Sequence, residues 1–390
     1  MKQDNQEKRL LALDVMRGMT IAGMILVNYP GSYTYIYAPL RHAAWSGLTP
    51  TDLVFPFFMF IMGISMYFSL YKSNFVLSIP VAKKIVKRTL ILISLEWFSW
   101  FCYYWTIAPA NLSFIKNVMA SIIDCWSLRL SGVLQRLAIS YGVAAFGVFL
   151  IRHRFIPYLI GGLLTVYTII LWCGNGFAYD ETNILSWVDY KVLTANHMYG
   201  DHGIDPEGVL STLPSIAHVL LGFWIGHYLV NKDFKISRQL LLQSQMLTLF
   251  MWGVVFTFSG FLLSYGCPIN KKIWSPTFVL VSCGMGCSLL ALLLWLVDMK
   301  GYRKGCLFFE SFGVNPLFCY VTASALAIVC ATPFFSFQGK PICIRHVFYE
   351  QVLQPVFGNY GGSFLYAIGF VLLNWCIGYL LYRRRIFIKL

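Results

Sequence analysis

Apolar residues run along this chain in long, nearly uninterrupted blocks, without the two-residue alternation of a barrel strand or the narrow stripe of a surface helix. The blocks predict helices at about 14–30, 52–71, 86–105, 131–151, 155–174, 211–230, 239–265, 276–297, 309–332 and 363–382. Roughly 20 apolar residues cross about 30 Å of hydrocarbon, so each block is read as a membrane span. Continuous runs exclude a closed barrel, the other backbone arrangement that satisfies its own hydrogen bonds in lipid. The expected fold is an all-α, polytopic integral membrane bundle of about ten transmembrane helices. No fixed-period repeat or low-complexity linker divides the chain, so residues 1–390 are read as a single domain.

Composition agrees. The 390 residues are 58% hydrophobic and 12% charged, against about a quarter charged in soluble domains, which disfavours a water-soluble enzyme and a disordered protein. A net charge of +14 raises the question of nucleic acid, but a nucleic-acid face needs its basic residues clustered on a solvated surface. Here they fall between apolar runs, so membrane lipid is an expected partner and nucleic acid is not. Short loops rich in Lys and Arg stay in the cytoplasm. Alternate connections carry 20 and 8 basic residues, with Arg17 and Arg136 inside spans. Both termini are therefore expected to be cytoplasmic, with the 106–130, 175–210 and 333–362 connections facing outward. No removable signal peptide is expected, because Asp14 and Arg17 interrupt the first apolar run. Most of the 11 cysteines fall inside spans and none forms a CxxC pair. A disulfide among Cys125, Cys267 and Cys343 stays open.

Charged and polar groups in or beside a span are functional candidates. Asp14 and Arg17 share a face of the first helix, beside Gly18, as an interfacial ion pair or as an anion site for a phosphorylated ligand. Asn28 at the end of that helix, His42 in the following connection and Asp52 at the start of the second converge at one mouth. A histidine held by a carboxylate is a usable general base. The plain alternative is that Thr49, Thr51 or Asp52 caps the second helix and His42 is a solvated loop residue. Gln135 and Arg136 enter the fourth span, with Glu96 of the third as the available intramembrane partner for Arg136. His197, Asp201, His202, Asp205 and Glu207 make an acidic outer loop without metal-helix spacing, so no metal is expected; a helix cap or sugar-facing loop is favoured. His218 is read as a core residue bonded to a carbonyl. Further polar sites are the 270–275 segment, which contains Lys271 and Trp274, and Asn315-Pro316, where the proline should kink the ninth span.

The ordered set LDVMRG (13–18), NYPG (28–31), RHAAWSGLTPTDLVFPFFMFIMG (41–63), GVLQRL (132–137), IDPEGVLST (204–212), NKKIWSPTF (270–278) and FGVNPLF (312–318), with the terminal YRRRIFIKL, resembles the heparan-alpha-glucosaminide N-acetyltransferase family of transmembrane acyltransferases. The resemblance runs from about residue 10 to 390, most specifically over 41–63. The start at the first core helix is similar to bacterial members, so a bacterial cytoplasmic membrane is expected. The resemblance implies transfer of acetyl from cytoplasmic acetyl-CoA, the donor substrate, to an amino sugar or glycan on the far side. By position it assigns His42, Asp52 and Asn28 to catalysis. Donor binding falls to Asp14, Arg17, Gln135, Arg136 and Asn315, and acceptor contacts to Asp205, Glu207 and Trp274. Direct transfer and an acetyl-imidazole intermediate both remain open, as do N- and O-acetylation. The loop before DPEG is short beside the lysosomal version, so heparan itself is not carried over. A homodimer is kept as an option. The competing class is a secondary transporter of an anionic metabolite, which scattered intramembrane charges also describe.

Overall fold

The computed structural model describes residues 10–107, 129–199, 202–230, 237–333, 335–337 and 340–388. Lys2, Lys8, Arg9, Lys116, Cys125, Asp201, Lys232, Lys235 and Lys389 lie outside them. Each expected span coincides with a helix. In chain order these are α1 (Leu11–Asn28), α2 (Pro50–Tyr71), α3 (Ile79–Ile107), α4 (Val133–Leu150) and α5 (Ile156–Cys173). After a short α6 (Ile184–Leu193) come α7 (Thr212–Leu229), α8 (Arg238–Leu263) and α9 (Pro276–Leu293), which continues as a π-helical turn to Met299. The last are α10 (Cys306–Val314), α11 (Pro316–Ala331) and α12 (Gln354–Arg383). The protein is all-helical apart from an antiparallel pair, β1 (Phe335–Phe337) and β2 (Lys340–Ile342).

Among the described residues, seven helical segments are long and apolar enough to cross a membrane, and α10 with α11 makes an eighth if the bent pair is one span. The remaining two expected spans are α3 and α7. The first carries Lys83, Lys84, Lys87 and Arg88 on its opening turns, with Arg88 resting 4.5 Å above the Tyr141 ring. The protein is integral to the membrane. Its lipid-facing surface is plainest on α8, where Phe250, Phe258 and Leu262 are exposed.

Two boundaries differ from expectation. Helix α3 begins at Ile79, not near 86, because its basic residues lie on the helix and not before it. The 333–362 connection is largely helical: Ile344–His346, a π turn over Val347–Leu353, and then α12 from Gln354. Gly358, with φ 70°, breaks the ladder there, a conformation that glycine adopts without a Cβ clash. The break expected at Pro316 is present and large, with α10 and α11 meeting at 89°.

Small residues set the helix crossings, as they do where lipid supplies no hydrophobic drive between helices. A Cβ at Gly63 of α2 would lie 2.2 Å from the Val219 carbonyl oxygen of α7, and one at Gly222 would lie 2.2 Å from that of Phe60. Gly18 of α1 and Gly313 of α10 form a second reciprocal pair, against the carbonyls of Phe309 and Asp14. Helices α1 and α2 pack side by side, with Gly23 against the Val54 side chain, which positions the connection between them.

The bundle has two polar ends. At one, Asp298 accepts the backbone N–H groups of Leu11 and Ala12 (3.3 and 2.9 Å), satisfying orphan donors at the start of α1. At the other, the 29–49 connection is tied down by Gly31 N–H to the Ser363 carbonyl, Trp45 Nε1–H to the Phe177 carbonyl and Gly47 N–H to the Ile269 carbonyl. His42 lies at this second end.

Candidate active site

Thr49-Pro50-Thr51-Asp52 is a helix start: Thr49 is the N-cap, Pro50 occupies the first turn, and Asp52 closes a capping box. Asp52 is almost fully enclosed and divides its oxygens between two tasks. Oδ2 accepts the Thr49 N–H (3.1 Å), the Thr49 hydroxyl (2.9 Å) and the Ala43 N–H (3.2 Å). Oδ1 lies 2.7 Å from His42 Nδ1. One carboxylate thus caps α2 through Oδ2 and contacts His42 through Oδ1. Because a carboxylate oxygen accepts, Nδ1 carries the proton and Nε2 is left with the lone pair. The His42 side chain is 49% exposed, against 1% for Asp52, so the ring is anchored at Nδ1 and open to the mouth.

The 270–275 turn supplies a third charge. Asn270, buried, accepts from the N–H groups of Lys272 and Ile273, while Ser275 caps α9 and bonds back to Asn270 N–H. This locked turn aims Lys271 at the imidazole: Nζ lies 3.1 Å from His42 Nδ1, 3.4 Å from Nε2 and 3.7 Å from Asp52 Oδ1. Burial pushes Lys271 down from the usual lysine range, and the Asp52 and Glu207 carboxylates act the other way. The same turn sends Trp274 inward, at φ 52°. There its ring packs on Phe55, His218 and Phe278, with the Arg136 guanidinium 5.1 Å from its centroid. His218 donates Nε2–H to the Pro56 carbonyl at 2.9 Å, as expected of a core histidine. Above His42, Trp45 stacks on Tyr179, which in turn receives a hydrogen bond from Lys272.

Beneath the mouth, Arg136 is buried and bonds to the Gly208 carbonyl and the Ser211 hydroxyl. This corrects the expected pairing with Glu96, whose Oε2 instead accepts the Leu134 N–H at the start of α4. The free turn of a helix N-terminus is the closer donor for that carboxylate. Gln135 keeps both amide atoms without a protein partner, as do Arg136 Nε and Nη1 among the described residues. A buried donor or acceptor left unmade costs about 1–3 kcal/mol, so these atoms fit a polar ligand.

The DPEG loop is built around Asp205. Its carboxylate takes Arg129 through two nitrogens (2.5 and 3.2 Å), the Ser131 hydroxyl and the N–H groups of Tyr199 and Glu207. Arg129 also pairs with Glu207 at 2.5 Å. Burial works to raise the Asp205 carboxyl, but Arg129 and the backbone donors outweigh it and hold the group below the usual range. Asp189 on α6 goes the other way: burial lifts it to about 7, while the backbone N–H groups of Val209 and Leu210 oppose the rise, Val209 N–H bonding Oδ1 at 2.8 Å. A raised carboxyl favours the protonated folded state, so its contribution is present at low pH and is lost as pH rises from the ordinary carboxylate range through about 7. Thermal stability in detergent should fall across that window by at most about 1.4 kcal/mol per pH unit from this group. In Asp189→Asn that component of the slope disappears; an identical slope would show that Asp189 does not titrate there.

The other expected donor-site residues cluster elsewhere. Arg17 Nη1 donates to Asp14 Oδ1 (2.9 Å) and to the Gly313 carbonyl, and Nη2 to the Ser65 hydroxyl (2.7 Å). Asn315, at the α10–α11 break, clasps the segment after α12 through the Ile386 carbonyl and the Ile388 N–H. Asn28 is exposed at the end of α1, where its backbone carbonyl accepts from the Tyr33 hydroxyl; no hydrogen bond joins its side chain to His42 or Asp52. Cys267 and Cys343 are free thiols. Arg129 and Asp189 are groups that the sequence did not single out, and Lys271 stood out there only as part of the 270–275 polar segment.

No family model matches the chain. It is 26% identical over 439 aligned residues to heparan-alpha-glucosaminide N-acetyltransferase of Mus musculus, and 24% identical over 434 to that of Homo sapiens. The similarity covers 98% of this chain and 60% of each relative, so the chain spans well under two thirds of their length. Similarity along nearly the whole chain supports a distant family relationship with these proteins.

Proposed function

We propose that the protein is a membrane acetyltransferase that takes acetyl-CoA from the cytoplasm and transfers the acetyl group to the amine of an amino sugar or glycan on the far side. The observation that carries this reading is the His42–Asp52 pair: a half-exposed imidazole whose proton is fixed on Nδ1 by a buried carboxylate, leaving Nε2 as a base at an open mouth. The names of the distant relatives point the same way.

The chemistry balances with one histidine. The acceptor nitrogen attacks the thioester carbonyl carbon, Nε2 takes the amine proton, and the imidazolium returns it to the departing thiolate, giving an amide and CoA thiol. Asp52 steadies the imidazolium. Lys271, a cation within 3.4 Å of both ring nitrogens, stands where it can hold the developing oxyanion, with Asn28 as a second candidate for the carbonyl. Arg17 and Asp14 are assigned the phosphate end of the donor. Arg17 and Asn28 are eleven positions apart on α1, about 16 Å at 1.5 Å per residue, a gap that an extended pantetheine arm can bridge. The orphan atoms of Gln135 and Arg136 are assigned to polar groups along that path, and Asp205, Glu207 and Trp274 to the acceptor side. The basic excess on the Asp298 end supports a cytoplasmic orientation for that end, and a bacterial inner membrane is the location this reading assigns.

The test is CoA thiol release by the purified protein in detergent, with acetyl-CoA and a panel of amino sugars. Wild type should release thiol in an acceptor-dependent way. Lys271→Met should reduce kcat about 100-fold or more if the ammonium stabilises the oxyanion. No acetyl-CoA binding and no release with any acceptor would shift the reading to a transporter of anionic metabolites.

A further inference from the structure

A cavity of about 610 Å³ opens between α1, α3, α11 and α12, and His42 does not line it. Its walls are aromatic, with Tyr29, Tyr33, Trp100 and Tyr366 among them. Two ionisable groups of opposite sign face it: Glu96, near the middle of α3, and Arg345, whose guanidinium lies 5.7 Å from the centroid of the Tyr33 ring. The volume is that of a small-molecule site, and the composition, mostly apolar with a few convergent polar groups, is of the same kind.

Glu96 is the informative residue. A part-buried carboxylate on an apolar helix needs compensation, and what the protein supplies is partial: the Leu134 N–H at 3.2 Å and a hydrogen bond from Trp100. Arg129 acts on it only at longer range, being committed to Asp205 and Glu207. The cavity side of the carboxylate is thus open to a cation, and the surrounding ring faces favour a cation as well. Glu96 also adjoins the reaction side. A Cβ on Gly132 would lie 2.7 Å from both Glu96 Oε1 and Gln135 Oε1, so one glycine backbone separates the cavity from the buried Gln135–Arg136 pair.

We propose that this cavity is a first docking site for the amine-bearing acceptor, with the ammonium group on Glu96, the sugar ring against the aromatic walls, and Arg345 receiving hydroxyl or acidic substituents; for transfer the amine leaves Glu96, loses its extra proton and moves to His42 Nε2, where Asp205, Glu207 and Trp274 are assigned. The inference rests on the acetyl-transfer reading for the ligand's role, but its binding can be measured without that reading. Glucosamine and glucose share a ring and differ in the charge at one position, so they isolate the contribution of Glu96.

The experiment is equilibrium calorimetry of the full-length protein in detergent, without acetyl-CoA, at a pH where the amine is protonated. Saturable glucosamine binding is expected, with glucose weaker by about tenfold or more. Glu96→Gln should weaken glucosamine to the level of glucose. Ala327→Phe, which fills the cavity from α11, should abolish binding of both sugars, and it decides the matter if Glu96→Gln does not fold. Absence of glucosamine binding, equal binding of the two sugars, or binding unaffected by either folded variant would overturn the proposal. Binding as expected, without acetylation of the bound sugar when acetyl-CoA is added, would leave the site standing and remove the acetyl-transfer reading.

Discussion

His42→Ala lowers acceptor-dependent CoA release about 100- to 10,000-fold, the range that a positioned general base contributes, while the thermal unfolding transition stays where it is. The second half of that expectation follows from the geometry. His42 is half exposed and contacts only the Asp52 carboxylate and the Lys271 ammonium among its hydrogen-bonding neighbours in the described residues, whereas Asp52 retains Thr49, Ala43 and Lys271 as partners when the imidazole is gone. The capping box therefore survives, and activity is lost without the fold. Steady-state kinetics beside a melting curve checks both halves. Robust turnover by the variant would remove His42 from the chemistry, both as base and as acetyl carrier. The two roles separate on incubation of wild type with labelled acetyl-CoA and no acceptor: label retained on the protein points to acetyl-imidazole, and its absence to direct transfer.

Asp205→Asn has the opposite signature. Asp205 is fully buried and joins residues 129, 131, 199 and 207. Removing its charge leaves Arg129 short of a partner; breaking a buried pair from one side typically costs about 3–5 kcal/mol. The variant should lose several degrees or more of thermal stability in detergent, with activity falling because the Gly208 carbonyl and Ser211 no longer hold Arg136 against Trp274. The carboxyl is held below its usual range, so its stabilisation is present above the unfolded carboxyl range and is lost as pH falls through the folded value. An unchanged melting curve with a raised KM for the acceptor would instead make Asp205 a ligand group.

The helices were legible because long apolar runs carry no competing pattern, and the 41–52 site was legible because a proline-led helix start and a nearby histidine are local features. Lys271 was legible only as a member of the 270–275 polar segment: as a basic residue just beyond a span it also reads as a topology charge, and the Asn270–Ser275 lock is what turns it toward His42. Arg129 reads the same way, while its partners lie 76 and 78 positions along the chain. The Glu96–Arg136 pairing failed for a physical reason. Proximity of opposite charges in sequence-ordered spans says nothing about which backbone donors stand closer, and the first turn of α4 took the carboxylate. Asn315 shows the reverse case: its sequence context marked a break, and the structure adds that its amide holds residues 386 and 388.

The central claim is transfer across a bilayer, and one measurement addresses it directly. Purified protein is reconstituted in liposomes with labelled acetyl-CoA enclosed and glucosamine supplied only outside. The expected result is labelled N-acetylglucosamine in the external medium, CoA thiol retained inside, and neither product with His42→Ala. Labelled acetyl-CoA appearing outside with the sugar unmodified would contradict the account and identify a carrier.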